Sequence, residues 1–179
     1  MSLSIYDIDP AHSGAHFSVR HMMISNVKGE FSKVAGTVTF DPDNPAASQV
    51  EATIDATSLH TRDEQRDGHL KSPDFFDVAK FPEIRFVSRN VEAQGFGEFL
   101  VKGDLTIHGV SQGVTLRVEG PTAEMKDPWG NMRAGASATT KINRKDFGLN
   151  FNVPLESGGV LVGEEISITL EVELIRRAA

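Results

Sequence analysis

The dominant pattern along the chain is an alternation of apolar and polar positions with period two. Phe17, Val19 and His21 alternate with His16, Ser18 and Arg20, and Val34, Gly36, Val38 and Phe40 with Ala35, Thr37 and Thr39. Val50, Ala52 and Ile54 face away from Glu51, Thr53 and Asp55, and Val114, Leu116 and Val118 from Thr115, Arg117 and Glu119. The longest run sets Ile166, Ile168, Leu170, Val172 and Leu174 against Ser167, Thr169, Glu171 and Glu173. Successive side chains of a strand point to opposite faces, so this pattern predicts antiparallel strands with one buried and one wetted face.

Turn chemistry separates the strands. Asp41-Pro42-Asp43-Asn44-Pro45, Gln94-Gly95-Phe96-Gly97, Asp127-Pro128-Trp129-Gly130-Asn131 and Ser157-Gly158-Gly159 read as turns or loops. Many strands at such spacing predict a sandwich or a barrel, and a barrel is favoured because closure removes exposed edges. One segment departs from the pattern: Thr61-Arg62-Asp63-Glu64 reads as a capping box with Thr61 as N-cap, opening a short helix that Pro73 ends. The stretch from Pro73 to Pro82, with Phe75, Phe76 and Phe81, fits neither strand nor helix and is expected to cap one barrel end. No repeat or linker interrupts the chain, so a single domain over residues 1–179 is expected.

Composition narrows the chemistry. The 179 residues contain no cysteine, which removes disulfide frameworks, cysteine zinc sites, Fe–S clusters and thiol nucleophiles. A net charge of −7 argues against sequence-independent nucleic-acid binding and a broad electrostatic membrane anchor. No apolar run approaches the ~20 residues of a membrane-spanning helix, so no stable membrane insertion is expected. The start of the chain shows no basic, apolar and small-residue leader pattern, which sets the expectation of a cytoplasmic protein, or a periplasmic one if a leader has been removed. Eleven of the aromatics are Phe against one Tyr and one Trp, an apolar surface with few polar handles.

Candidate catalytic motifs are thin. Gly109-Val110-Ser111-Gln112-Gly113 matches G-x-S-x-G, but strands flank it on both sides and no His follows Ser111, so a hairpin is the expected structure. His12, His16 and His21 invite a metal reading, yet 16 and 21 differ by an odd number and point to opposite faces of a strand. A buried, hydrogen-bonded imidazole is the simpler expectation for His21. Arg66-Asp67-Gly68-His69 reads as a solvated helix face rather than acid–base machinery. No phosphate-binding loop is present. No metal site and no cofactor are expected, and a barrel of this size can enclose one small apolar ligand.

The ordered set Asp9-Pro10-Ala11-His12-Ser13, Phe17-Ser18-Val19-Arg20-His21, Val27-Lys28-Gly29-Glu30-Phe31, Gly36-Thr37-Val38-Thr39-Phe40-Asp41 and Ser58-Leu59-His60-Thr61 opens a wider likeness. It continues through Arg66 to Ser72, Asp74-Phe75-Phe76-Asp77, Phe81 to Phe86, Gly103 to Gly109, Asn143-Arg144-Lys145-Asp146-Phe147-Gly148 and Val162 to Ile166. In order and spacing this set resembles the YceI-like family of polyisoprenoid-binding proteins over nearly the whole chain. The resemblance implies an all-β fold, an elongated eight-stranded antiparallel lipocalin-like barrel with one short helix near an end. It also implies a long isoprenoid or acyl chain threading the apolar interior, with its head group near the mouth.

Alternation nominates the lining as Phe17, Val19, His21, Val38, Phe40, Ile54, Leu116, Ile168 and Leu170, extended by Phe86, Leu105 and Ile107, with Phe75, Phe76 and Phe81 at one end. The head-group end needs cations or donors, and His12, Arg66 and His69 are the candidates beside His21. The expected activity is non-catalytic: sequestering or carrying a polyisoprenoid or similar amphiphilic lipid, a quinone or a prenyl phosphate. A His- or metal-dependent hydrolase acting on a lipid-like substrate is the alternative, and a scaffold with a filled interior is a third reading. Rim aromatics on such barrels often mediate pairing, which makes a homodimer the expected assembly.

Overall fold

The computed structural model describes residues 3–178. In chain order the strands are β1 (Ser4–Ile8), β2 (Gly14–His21), β3 (Ser25–Phe31), β4 (Val34–Phe40), β5 (Gln49–Asp55) and β6 (Leu59–His60). Helix α1 (Glu64–Lys71) follows, then β7 (Glu83–Gly95), β8 (Glu98–Ile107), β9 (Val110–Glu119), β10 (Met125–Lys126), β11 (Met132–Asn143) and β12 (Val162–Arg176). Antiparallel pairing runs β1–β4–β5–β7–β8–β9–β11–β12 and returns from β12 to β1, closing an eight-stranded barrel as expected.

The barrel is elongated because several strands are shared. The C-terminal part of β12 pairs with β1 (Leu174 opposite Ile8), while its N-terminal part pairs with β2 along the same edge (Ile168 opposite Phe17). β1 and β2 therefore act as one strand interrupted by a 3₁₀ turn at Pro10–His12, and β3 and β4 continue one another on the next row. Among the described residues no helix is long and apolar enough to cross a bilayer.

One stretch of wall is thin. β9 pairs with β11 only where Arg117, Val118 and Glu119 meet Thr139, Ala138 and Ser137. Beyond that the two strands diverge, and a 3₁₀ turn at Arg144–Phe147 fills the gap, with the Gln112 side-chain amide donating to the Asp146 carbonyl at 2.8 Å.

The helix begins two residues later than the capping-box reading placed it. Asp63 is the N-cap, its carboxylate accepting from the Arg66 N–H at 3.0 Å. Thr61 is buried and otherwise engaged: its hydroxyl donates to Asp67 at 2.5 Å and accepts from Arg66 Nε at 2.8 Å. Both residue types cap helices well, and the tertiary contacts of Thr61 decide between them. The G-x-S-x-G motif forms a hairpin: His108 and Gly109 make the two-residue turn with φ of 55° and 72°, and Ser111 lies on β9 with its hydroxyl 2.6 Å from that of Thr106.

Candidate functional site

The inward faces of the strands enclose a cavity of about 240 Å³ running along the barrel. Its wall takes Phe17, Val19, Val38, Phe40 and Ile54 from the first rows, Phe86, Leu105, Ile107 and Leu116 from the β7–β9 meander, and Ile168 and Leu170 from β12. Phe75 and Phe76, from the proline-bounded stretch after α1, also reach it. Phe75 is buried against His69 and Phe151, with ring centroids 5.1 Å away in each case, while Phe76 meets Phe31 edge-on at 5.4 Å. These aromatic pairs close the helix end of the barrel with hydrocarbon.

Two residues nominated for the lining lie elsewhere. His21 ends β2 opposite Ser25, in the part of the sheet that projects past the barrel ring, and it is half-buried away from the cavity. Its side chain keeps the parity of Phe17 and Val19 but does not reach the cavity wall. Phe81 packs on the turn between β8 and β9, its ring 4.8 Å from that of His108 and pressed against Gly109. Gly109 needs its small side as well as its positive φ, because a Cβ would lie 2.6 Å from the Phe81 ring.

None of the three further head-group candidates lies on the cavity wall. His12 is exposed on the outer surface, its Nδ1 2.9 Å from Asp9, beside an open polar groove that also holds Asp127, Arg133 and Glu173. Arg66 is held by Thr61, donating from Nη2 to its carbonyl at 2.6 Å. His69 pairs with Asp74 at 2.9 Å on the exposed side of α1. Among the described residues no three His, Asp or Glu side chains gather as a metal site.

The cavity owes its width to β11, which the alternation reading did not single out. Its inward positions are Ala136, Ala138, Thr140 and Ile142, the first three of them small residues opposite the larger Val172, Leu170 and Ile168 of β12. Alternating Ala with Gly, Ser and Thr carries little hydrophobic contrast, so the strand shows only faintly in the sequence.

Polar side chains on the wall are few. Tyr6, the sole tyrosine, is buried in the wall near one end, and its hydroxyl donates to Glu124 at 2.7 Å. Burial and that carboxylate push its pKa up to about 12. At the helix end stands Arg144, 2% exposed and the one formally charged side chain on the wall apart from the titratable His16. Its Nε donates to the Gly163 carbonyl at 2.8 Å, Nη1 to Leu149 at 2.5 Å and Nη2 to Val162 at 3.2 Å, which ties the long segment before β12 to the barrel. Burial draws its pKa down. No local pattern marks Arg144, because the carbonyls that bury it lie up to 19 residues away along the chain.

A family model described as the YceI-like domain matches residues 6–174. The UPF0312 protein of Vibrio cholerae (strain O395) is 40% identical over 145 residues, covering 81% of this chain and 76% of the relative. The crystal structure of Burkholderia cenocepacia BcnA superposes with a TM-score of 0.76 at 24% identity, covering 93% of this chain and 98% of the other. A structure from Saccharophagus degradans, described as a polyisoprenoid binding domain implicated in plant cell wall breakdown, gives a TM-score of 0.67 at 15% identity over 96% of this chain and 98% of that one.

Proposed function

The chain belongs to the YceI-like family, and from that premise we propose that it binds a long-chain polyisoprenoid or similar amphiphilic lipid inside its barrel, as a carrier or sequestering protein rather than an enzyme. The observation that carries this reading is the cavity itself, a continuous apolar wall interrupted by only a few polar groups. Burial of hydrocarbon contributes ~0.8 kcal/mol per methylene, so an extended prenyl chain gains affinity from length with hardly a polar contact. The polyisoprenoid binding domain from Saccharophagus degradans shares the barrel architecture, which supports the choice of ligand class.

The hydrolase alternative finds less support. Ser111 sits in a hairpin without a strand-to-helix elbow, and the His12–Asp9 and His69–Asp74 pairs lie on separate elements outside the cavity. The test is to extract the purified protein with organic solvent, analyse the extract by mass spectrometry, and titrate lipid-free protein with prenyl lipids. A prenyl or acyl amphiphile at stoichiometric amount, or saturable uptake of an added one, is expected. Neither appearing overturns the reading.

A further inference from the structure

Met22 and Met23 form the turn between β2 and β3 with φ of 51° and 60°, and the Ile24 N–H donates to the His21 carbonyl at 3.1 Å. Two consecutive positive φ values favour Asn-Gly, because a bulky side chain crowds the backbone there. The chain instead places two methionines at the turn and follows them with Ile24, and all three side chains are exposed, Ile24 by 74%. Val153 and Val160, on the loop facing the turn, extend this apolar surface. The Met22 N–H donates to the Leu161 carbonyl at 2.7 Å, and Gly159 leaves the space that the Met23 sulfur occupies. The patch borders the barrel cavity, since Val162 on the cavity wall stands opposite His21. Charge follows the same division. From Pro10 to Gly29 the chain has no acidic residue, although its net charge is −7. Arg20 and Lys28 are exposed on one face of the hairpin, Arg20 opposite Asn26 and Lys28 two residues further on. At about 3.3 Å per residue they stand roughly 7 and 13 Å behind Ile24. Of the acids on neighbouring segments, Glu30 pairs with His60, Glu164 with Lys145 and Glu165 with Lys141, and Glu156 lies on the facing loop.

We propose that the β2–β3 turn is a docking tip with which the barrel touches the surface of an anionic phospholipid bilayer. The proposal rests on the lipid-binding reading above and names the surface with which the lipid is exchanged. An apolar edge of this kind settles about 5–10 Å into the boundary between head groups and acyl chains, which sets Arg20 and Lys28 at the level of the phosphates. Methionine suits that layer, being unbranched and adaptable. The contact is peripheral and reversible, because a few apolar side chains and two cations fall far short of a membrane span. The exposed aromatics Phe96 and Trp129 have the opposite setting: Glu98 lies two residues after Phe96, and the Asp127 carboxylate accepts from the Trp129 N–H at 2.9 Å. Trp129 precedes β11, whose first residues pair with the far end of β12 (Arg133 opposite Ile175), so it lies about 40 Å from the tip at the rise of a strand.

The test sediments the lipid-free protein with vesicles of equal parts phosphatidylglycerol and phosphatidylcholine, and with vesicles of phosphatidylcholine alone. Binding to the mixed vesicles is expected to be at least about tenfold stronger. Met22→Asn with Met23→Gly and Ile24→Ser gives the turn residues that prefer its geometry, so the fold is kept, and binding is expected to fall by about tenfold or more. Arg20→Gln with Lys28→Gln is expected to remove the preference for anionic vesicles. Trp129, the sole tryptophan, reports on the opposite end, and brominated acyl chains are expected to leave its emission unquenched. Transfer of geranylgeraniol out of the mixed vesicles should slow in the turn variant, while its uptake from an aqueous dispersion stays unchanged. No binding to either vesicle, unaltered binding by the turn variant, quenching of Trp129, or a turn variant that loses only self-association would each overturn the docking tip. Tip-dependent vesicle binding without uptake of geranylgeraniol from either source would bring down the lipid-binding reading and leave the tip standing.

Discussion

Phe17 and Gly29 stand opposite one another across β2 and β3, and the Phe17 ring occupies the space a side chain on Gly29 would need. The glycine is thus required by a close approach rather than by its backbone angle. It lets an aromatic ring fold over the neighbouring strand while still forming cavity wall and meeting Phe31 at 5.7 Å. Gly29→Ala is expected to displace that ring and cost about 1–3 kcal/mol, the usual penalty of overpacking. Chemical denaturation measures it. Because the cause is one contact, Gly29→Ala combined with Phe17→Ala should cost clearly less than the two single changes added together, and strict additivity would disprove the account.

Ala138 tests whether the cavity is the binding site. It sits on β11 between Val118 of β9 and Leu170 of β12, with its methyl on the wall. Ala138→Phe adds a ring where the barrel keeps its space, at a stability cost of about 1–3 kcal/mol. Uptake of a prenyl probe by the folded variant is expected to fall by about tenfold or more, as the lost hydrocarbon contacts imply. Unchanged uptake by a folded variant would place binding outside the barrel.

The strands were legible because Phe17, Leu116, Ile168 and their alternating neighbours differ sharply in polarity, and a period of two has a single structural meaning. Closure into a barrel followed from the number of strands and the need to cover edges. Three features escaped local reading for separate reasons. β11 alternates among small residues and has little amplitude. His21 obeys the parity of β2, but parity does not reveal that the strand runs beyond the ring. Arg144 looks like a surface cation in sequence, and only the return of Leu149, Val162 and Gly163 over it makes it interior.

Arg133 gathers three carboxylates on the outer wall: Asp127 at 2.6 Å, Asp9 at 2.7 Å and Glu173 at 3.2 Å. Its hydrogen bonds hold the carboxyls of Asp9 and Asp127 down to about 2, well below the usual value near 3.9. Below about pH 4 the unfolded chain therefore takes up protons that the folded chain refuses. The stabilisation is complete above that pH and is lost as pH falls toward 2. Thermal melts of the protein and of Arg133→Met from pH 7 to pH 2 should show the variant melting lower at neutral pH, with the gap closing in acid. A gap independent of pH would mean that Arg133 acts through packing alone.

Tyr6 offers the mirror case at high pH, and as the sole tyrosine it can be followed without interference from another phenol. Its ring is buried in the wall, and its hydroxyl donates to the partly exposed Glu124, which also pairs with Arg176 at 2.9 Å. Burial of the phenol and the neighbouring Glu124 carboxylate both disfavour its ionisation, so the folded protein holds the proton to about pH 12 against about 10 in the unfolded chain. The sign is opposite to that of the carboxylates: the contribution is whole below pH 10 and is lost as pH rises toward 12, because the unfolded chain releases its proton first. Tyrosinate absorbance near 295 nm should then stay flat in the native protein through pH 10–11 and appear at that pH once the chain is denatured (wavelength and range are about those of an ordinary phenol). Tyr6→Phe keeps the ring on the cavity wall and leaves Glu124 its Arg176 partner, so it should cost only about 1 kcal/mol at neutral pH. The same variant should remove the part of the alkaline stability loss that this phenol contributes. A native titration near pH 10 would show that water reaches the phenol, and hence that the barrel is open at the Tyr6 end.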